Sequence, residues 1–462
     1  MKFKEAEEEL EKAIALDTTF ALAYYQLAYV FVQRGGSFEK RKEPIRKAMR
    51  YIDTVPEKER YLIQALNASI QGDSDEARAL YLELLELYPN EKRALHVLGD
   101  LAFHRADYAT ALTYLEKAIA IDPAYEWSLS HLIWTYRGLE QYDKMLKYAK
   151  QYATQIPTSE EAYELVGDAY SLQADFDSAL QTYQRALELF PKRAWPVECM
   201  GVIYLFKNDY EKAKREFEKL IQAPRPLSDQ RIGYRGLGWH YAYLGKYRET
   251  IKRIDKVIEI DLNWGDKTNL ASGYAEKAFW FLVGWNDVEN AKSTIEKGLQ
   301  LKNDAGDLFY WYLFQAYLKL GEYEKALPIA KTQISYFAFQ DEVVNAFIHR
   351  DKGEYEAAIK GFQKASRRYD LALCYLETGQ YEKAIEAVRK MQGTYAVHFA
   401  RDLGERPEVY PKSFYLLGKI YEKMGDKKNA IESYKKLLNL WKDADEDLPE
   451  LIDAKARLAK LR

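Results

Sequence analysis

The sequence predicts an all-α fold, a right-handed superhelical solenoid of about eleven helix–turn–helix repeats with a C-terminal capping helix. The first observation is that five stretches of 34 residues follow one another from Lys58 to Leu227, with the same residue types at the same offsets. The second is that the apolar residues follow a helical period, and no alternating strand pattern persists. A repeat of this length is typical of stacked small units that contact only their neighbours.

Each repeat is predicted to be two amphipathic helices joined by a short turn, with small residues at fixed positions. A glycine in the first helix lets a neighbouring backbone come close, and an alanine early in the second helix lies where the pair crosses. A proline near the end of the repeat cannot continue the second helix. These positions hold Gly99, Ala111, Ala118 and Pro123 in the second repeat, Gly167, Ala179, Ala186 and Pro191 in the fourth, and Gly201 and Ala213 in the fifth. Aromatic residues such as Tyr183 and Phe217 are predicted to fill the gaps between them.

The regularity of the pattern divides the chain into five predicted segments. They are irregular repeats at 1–57, which start halfway through a unit, five regular repeats at 58–227, degenerate repeats at 228–392, an insertion loop at 393–410, and the last repeat with a capping helix at 411–462. A second insertion is expected around Asn263–Leu270. The start within a repeat favours a chain from which an upstream part is missing, or a lone helix that acts as a cap. Pro449 fits the first turn of the capping helix.

The marked positions resemble those of the tetratricopeptide repeat family, a helix–turn–helix repeat of this length. The resemblance covers nearly the whole chain and is strongest in residues 58–227. It implies a non-catalytic scaffold for protein interactions. The array is also similar to those appended to bacterial signalling proteins, such as kinases, cyclases and winged-helix regulators. That similarity leaves an alternative, the sensory half of a signalling protein whose effector domain is absent from this chain.

Composition excludes several functional classes. The net charge is −3 with both signs interspersed, so the chain lacks the basic face that nucleic-acid binding requires. The longest apolar runs are too short to span a bilayer. The two cysteines, Cys199 and Cys374, are predicted to pack as small apolar residues, and no secretory segment is present. These features predict a cytoplasmic protein without a cofactor.

The first helices of a repeat array line its concave side, and six of the nine tryptophans fall at inward positions. The predicted partner-binding residues are Trp127, Trp134, Trp195, Trp239, Trp280, Trp311, Arg235, Asp168, Glu164 and Glu198. Tryptophan is enriched in binding hot spots. Because the acidic residues would repel a C-terminal carboxylate, the expected ligand is an apolar or basic peptide or a helical segment. The alternative for each tryptophan is plain packing between repeats, in a structural rod that binds no ligand.

One constellation suggests a competing class, a metal-dependent enzyme. His96, Asp100 and His104 are spaced by four residues and share one helical face, and His131 in the next repeat could approach them. One helix rarely supplies a complete ligand set, and no glutamate occupies the position that a hydrolytic zinc helix requires. The sequence therefore favours a polar inner surface with no bound metal and no enzymatic activity.

Overall fold

The computed structural model of the chain describes residues 3–33, 38–222, 224–332, 339–397 and 406–461. All regular structure in these ranges is helical, which confirms the all-α class. The handedness of the superhelix stays a prediction. The helices are α1 (Phe3–Leu16), α2 (Ala21–Gln33), α3 (Phe38–Arg50), a short 3-10 helix (Ile52–Thr54), α4 (Glu57–Gln71), α5 (Ser74–Leu87), α6 (Lys92–His104), α7 (Tyr108–Ile121), α8 (Glu126–Gly138), α9 (Tyr142–Gln155), α10 (Glu160–Leu172), α11 (Phe176–Leu189), α12 (Trp195–Phe206), α13 (Tyr210–Ile221), α14 (Leu227–Tyr243), α15 (Tyr247–Trp264), α16 (Lys267–Trp285), α17 (Val288–Leu299), α18 (Asp307–Leu320), α19 (Tyr323–Thr332), α20 (Gln340–Asp351), α21 (Tyr355–Lys364), α22 (Arg368–Glu377), α23 (Tyr381–Gln392), α24 (Arg406–Lys423), α25 (Lys427–Leu440) and α26 (Pro449–Leu461).

The turn inside each regular hairpin recurs every 34 residues, as the sequence predicts. Its central residue has a positive φ each time, between 56° and 86°, at Gly72, Ala106, Glu140, Ala174 and Asn208. In four of these five turns the next residue is an aspartate that caps the second helix. The Asp107 carboxylate, for example, accepts a hydrogen bond from the Thr110 N–H. The sequence places this turn at residues 105–108 and 173–176, as observed, but the positive φ was not predicted because four of the five left-handed residues are not glycine.

Small residues in the two helices allow the hairpins to pack closely. The alanines at the predicted crossing, Ala111, Ala179 and Ala213, are fully buried. The glycines in the first helix make room for a side chain rather than for the backbone expected from the sequence. A Cβ at Gly167 would lie 2.3 Å from the Tyr183 ring. The same pairing links Gly99 to Leu115, Gly201 to Phe217 and Gly418 to Tyr434.

Two compact units make up the chain, residues 1–165 and residues 166–462. In the first unit, the hairpins α4–α5, α6–α7 and α8–α9 follow one another, and the first helices α6 and α8 lie side by side. In the second unit, α12–α13 and α14–α15 continue the pattern, and the helices α14, α15 and α16 are longer than those before them.

The C-terminal part of the second unit packs on its middle repeats. Helix α24 contacts α14, and the segment after α25 contacts the turn between α14 and α15. There the Trp441 Nε1–H donates to the Tyr243 carbonyl at 3.2 Å, and the Asp445 N–H donates to the Gly245 carbonyl at 3.1 Å. The Arg248 guanidinium pairs with Asp447 through two hydrogen bonds, of 2.9 and 2.6 Å. These contacts join residues about two hundred positions apart.

The described part of the predicted insertion loop at 393–410 also packs on an earlier part of the second unit. We call this packing of the C-terminal part on earlier repeats the closure of the second unit. The Val397 N–H donates to the Asp168 carboxylate at 2.8 Å, and the Ser171 hydroxyl donates to the Tyr395 carbonyl at 2.6 Å. Helix α24 already begins at Arg406, so the last residues of the predicted loop are helical. Residues 398–405 lie outside the described residues.

Arg406 joins several elements at the start of α24. Its guanidinium donates to the carbonyls of Met391, Gln392 and Thr394 at 3.1, 2.8 and 2.6 Å, and so satisfies acceptors at the C-terminal end of α23. It also lies over the aromatic rings of Phe206, Tyr395 and Tyr410, with its central carbon 4.7–5.0 Å from the ring centroids. A single planar cation therefore holds α12, α23 and α24 together.

One local expectation differs from the structure. The insertion around Asn263–Leu270 is not a loop, because α15 continues to Trp264 and α16 begins at Lys267, with the left-handed Gly265 between them. The capping helix begins at Pro449 as predicted, and its buried side chains are Leu451, Ala454 and Leu458, while Ile452 is exposed. Because these buried residues are three and four positions apart, they form one stripe of the capping helix, and this stripe packs against α25.

Candidate functional site

The ten predicted partner-binding residues fall into two groups. Four are partly exposed, namely Trp127, Trp134, Glu164 and Trp195. Six are buried, with fractional exposures of 1% for Trp239, 0% for Trp280, 6% for Trp311, 9% for Arg235, 3% for Asp168 and 6% for Glu198. Buried side chains offer no surface to a partner in this conformation, so the expectation of one aromatic groove along all the repeats is corrected.

The buried group is covered by the second unit itself. The Trp280 ring stacks on Tyr247 at a centroid distance of 6.0 Å, and Tyr247 in turn contacts Trp441 from the C-terminal segment. Arg235 lies over the Trp239 ring and pairs with Glu276 at 3.4 Å. Asp168 accepts its hydrogen bond from Val397. These residues therefore pack in the core of the second unit. Packing between repeats is the alternative that the sequence left open for each tryptophan.

The partly exposed tryptophans of the first unit share one helical stripe. Trp127, His131 and Trp134 are spaced by four and three residues on α8, so they lie on one face of that helix. Phe103 of α6 packs edge-on against His131, with a centroid distance of 5.7 Å. We call these four residues the α8 aromatic face. The Arg137 guanidinium lies over the Trp134 ring at 4.9 Å, so the face carries a cation–π contact at its edge.

A polar cluster adjoins this face. Asp100 of α6 lies between two imidazoles, because its Oδ1 is 2.7 Å from His131 Nε2 and 3.2 Å from His104 Nε2. His131 Nδ1 is 2.9 Å from the Trp127 carbonyl oxygen. His96 is buried beside them, with its Nδ1 3.3 Å from the Ser128 hydroxyl. We call Asp100, His104 and His131 the histidine–aspartate cluster.

The surroundings shift the pKa of each buried group in this region. Burial lowers the pKa of His96 to about 3, helped by the nearby His131. Burial also opposes ionisation of His131, but the Asp100 carboxylate outweighs it, so the pKa of His131 is raised. Burial disfavours the Asp100 anion, yet the hydrogen bonds from His104 and His131 hold its pKa well below the usual range. Asp100 is therefore a carboxylate that its imidazole neighbours stabilise.

The sequence placed His96, Asp100 and His104 on one helical face and named His131 of the next repeat as a residue that could approach them, and the structure groups Asp100, His104 and His131. His96 turns toward Ser128, while His131 from the next repeat takes the place beside Asp100. The ligand atoms of Asp100, His104 and His131 lie within 4.8 Å of one another. Spacing along one helix could not reveal this selection, since it depends on how α6 and α8 pack.

Among the helices that the structure describes, none has both the length and the apolar character that a membrane crossing needs. The cysteines Cys199 and Cys374 are buried free thiols, as the sequence predicts. Burial raises the pKa of the Cys374 thiol to about 11, so this sulfur is a poor nucleophile at neutral pH.

Comparison with known families agrees with the repeat pattern. Models of the tetratricopeptide repeat match residues 64–126, and further matches cover residues 160–193, 200–225, 365–391 and 411–440. The matched stretches include most of four regular hairpins and the last repeat, while residues 127–159, which form nearly all of α8 and α9, lie between two matches.

Similar proteins carry the same kind of repeat. A TPR repeat-containing protein of Methanocaldococcus jannaschii is 22% identical over 447 residues, which is 85% of this chain and 70% of that protein. The TPR repeat-containing protein YpiA of Bacillus subtilis is 24% identical over 82% of this chain and 87% of its own length. A solved tetratricopeptide repeat protein from Parabacteroides merdae covers 64% of this chain and 99% of its own at 16% identity, with a TM-score of 0.37. From the repeat matches and the two sequence relatives, we conclude that this chain contains tetratricopeptide repeats.

Proposed function

We propose that the protein is a non-catalytic interaction scaffold whose α8 aromatic face binds an apolar or basic protein segment. Tetratricopeptide repeat proteins generally serve as scaffolds for protein interactions. The observation that carries the proposal is the α8 stripe, where Trp127 and Trp134 lie two turns apart on one helix and both keep exposed surface. Trp239 and Trp280, by contrast, are buried in the second unit.

The chemistry of the face determines the kind of ligand. Two tryptophans, a phenylalanine and an imidazole offer flat apolar contact area, which favours aliphatic or aromatic side chains. The Asp100 carboxylate lies beside His131, and Glu164 of α10 is a further partly exposed acidic residue of the same unit. A ligand that brings a lysine or an arginine beside an apolar anchor fits this combination, and a C-terminal carboxylate does not. A cytoplasmic location remains part of this proposal.

The test is to select peptides against the purified full chain from a displayed library and to measure their affinity by fluorescence anisotropy. We expect Trp134→Ala to weaken binding by about 30-fold or more, which corresponds to a hot spot of ~2 kcal/mol. The melting temperature should change little, since the Trp134 side chain is only partly buried.

Trp264→Ala is the matched control, because Trp264 is 52% exposed and lies in the second unit. It should leave both affinity and melting temperature unchanged. The proposal is wrong if peptides bind Trp134→Ala and Trp127→Ala as tightly as the unchanged chain. A large loss of melting temperature in Trp134→Ala would assign the residue to the core instead.

A further inference from the structure

We propose that Asp100, His104 and His131 form a binding site for a divalent transition-metal ion such as Zn²⁺, with the remaining coordination positions filled by solvent. Asp100 and His104 come from one helix, four residues apart, and His131 comes from the first helix of the next repeat. Their ligand atoms all lie within 4.8 Å of one another.

The distances suit a small cation. Ligand atoms around a tetrahedral zinc ion lie about 3.3 Å apart, as follows from metal–ligand bonds of roughly 2.0–2.1 Å. The separations here are 2.7 Å from Asp100 to His131, 3.2 Å from Asp100 to His104, and at most 4.8 Å for the third pair. They bracket the required value, so small side-chain rotations bring all three atoms onto one ion.

The hydrogen bond of His131 indicates which of its nitrogens faces the site. Nδ1 lies 2.9 Å from the Trp127 carbonyl oxygen, which can only accept a hydrogen bond, so Nδ1 carries the proton. The other nitrogen, Nε2, then faces a carboxylate oxygen at 2.7 Å. Nε2 either donates its own proton to this carboxylate or, once that proton is released, binds a metal ion together with it. A ring N–H held by a backbone carbonyl, with the opposite nitrogen on the metal, is the usual arrangement of a metal-binding histidine.

Exposure and ligand type narrow the choice of ion. The side chains are 30% exposed for Asp100, 47% for His104 and 22% for His131, so an ion can enter and keep bound water. Two imidazoles and one carboxylate suit Zn²⁺, Co²⁺ or Fe²⁺, whereas Mg²⁺ and Ca²⁺ prefer oxygen ligands. Three protein ligands with an open position are typical of a metal that can still accept a further ligand.

Such an ion would link α6 to α8 beside the α8 aromatic face. His131 belongs to both features, because it lies between Trp127 and Trp134 on α8. Metal binding would therefore stiffen the contact between two consecutive repeats. This inference does not depend on the proposed function, since it concerns the cluster alone.

The test is a calorimetric titration of the untagged full chain with Zn²⁺ after removal of bound metal by a chelator. We expect one saturable site per chain, and at least tenfold weaker binding for His104→Ala and for Asp100→Asn. His104 is half exposed, so its replacement removes a ligand without opening the core. Circular dichroism confirms that each variant folds. Titration with Co²⁺ should give visible absorption bands that His104→Ala lacks.

His349→Ala is the matched control. His349 also pairs with a carboxylate, Glu354, at 2.5 Å, but that pair is not part of any three-residue cluster among the described residues. It should bind Zn²⁺ as the unchanged chain does. The proposal is overturned if the unchanged chain shows no saturable site, in which case a proton is the cation shared by His131 and Asp100. It is also overturned if His104→Ala and Asp100→Asn bind as tightly as His349→Ala.

Discussion

Replacing Trp441 by alanine is expected to destabilise the second unit by about 3–5 kcal/mol, the usual effect of removing a large aromatic side chain from a core. Trp441 is 1% exposed, its ring contacts Tyr247, and its Nε1–H donates to the Tyr243 carbonyl. The substitution leaves a cavity between the C-terminal segment and the turn that precedes α15. Denaturant unfolding followed by circular dichroism measures the loss.

Trp264→Ala is the control for this substitution as well. The same residue type is removed, but Trp264 is 52% exposed, so the change in stability should stay within about 0.5 kcal/mol. Equal stability of the two variants would contradict the packing of Trp441 described above.

Gly245→Ala tests the same contact from the turn between α14 and α15. The added Cβ would lie 2.8 Å from the Ala444 side chain, and φ at this position is +69°. It should therefore also destabilise the second unit.

Replacing Gly236 by alanine is the second substitution with a large expected effect. The Phe217 ring is fully buried between glycines of two consecutive first helices. A Cβ at Gly236 would lie 2.3 Å from this ring, and a Cβ at Gly201 would lie 2.5 Å from it. Overpacking of this kind costs about 1–3 kcal/mol, and more where the neighbour cannot move. Thermal unfolding of the two single variants measures the effect.

Gly238 supplies an internal control on the same helix. A Cβ there would meet nothing closer than 3.6 Å, so Gly238→Ala should be neutral or should stabilise α14 by up to ~1 kcal/mol through helix propensity. In the double variant Gly236→Ala/Phe217→Leu, the smaller side chain should recover part of the lost stability. Equal effects of Gly236→Ala and Gly238→Ala would show that the Phe217 ring is not held as described.

The helical repeat could be predicted from the sequence because it depends on contacts between residues that are close in the chain. Each hairpin repeats the same small residues at the same crossing, as Ala111, Ala179 and Ala213 show, and each lies within reach of its own sequence neighbours. The turns around Ala106 and Ala174 were located from the sequence, but their positive φ was not predicted, since alanine and glutamate at positive φ are unusual. The aspartate that follows, such as Asp107 or Asp175, belongs to the same turn and caps the second helix.

The packing of the C-terminal segment on the middle repeats of the second unit could not be predicted from the sequence. Trp134 and Trp239 occupy equivalent positions in their repeats, so periodicity gives them equal claims to a groove. The two tryptophans differ in burial because distant parts of the chain contact each other in the second unit. Examples are the hydrogen bonds of Trp441 with Tyr243 and of Ser171 with Tyr395. These contacts have no period, and a single sequence carries no signal for them. Trp127 and Trp134 therefore stay proposed site residues, whereas Trp239 and Trp280, which are buried in the second unit, are corrected.

The C-terminal segment of the second unit packs on its middle repeats and buries Trp239 and Trp280, and this packing is why we propose the α8 aromatic face of the first unit as the partner surface. Hydrogen exchange of the full chain tests this packing most directly. The amides of Val397 and Asp445 donate to Asp168 and to the Gly245 carbonyl, so residues 394–397 and 441–448 should exchange as slowly as the adjoining helices. Exchange of both segments at the rate of an unstructured peptide would contradict the closure.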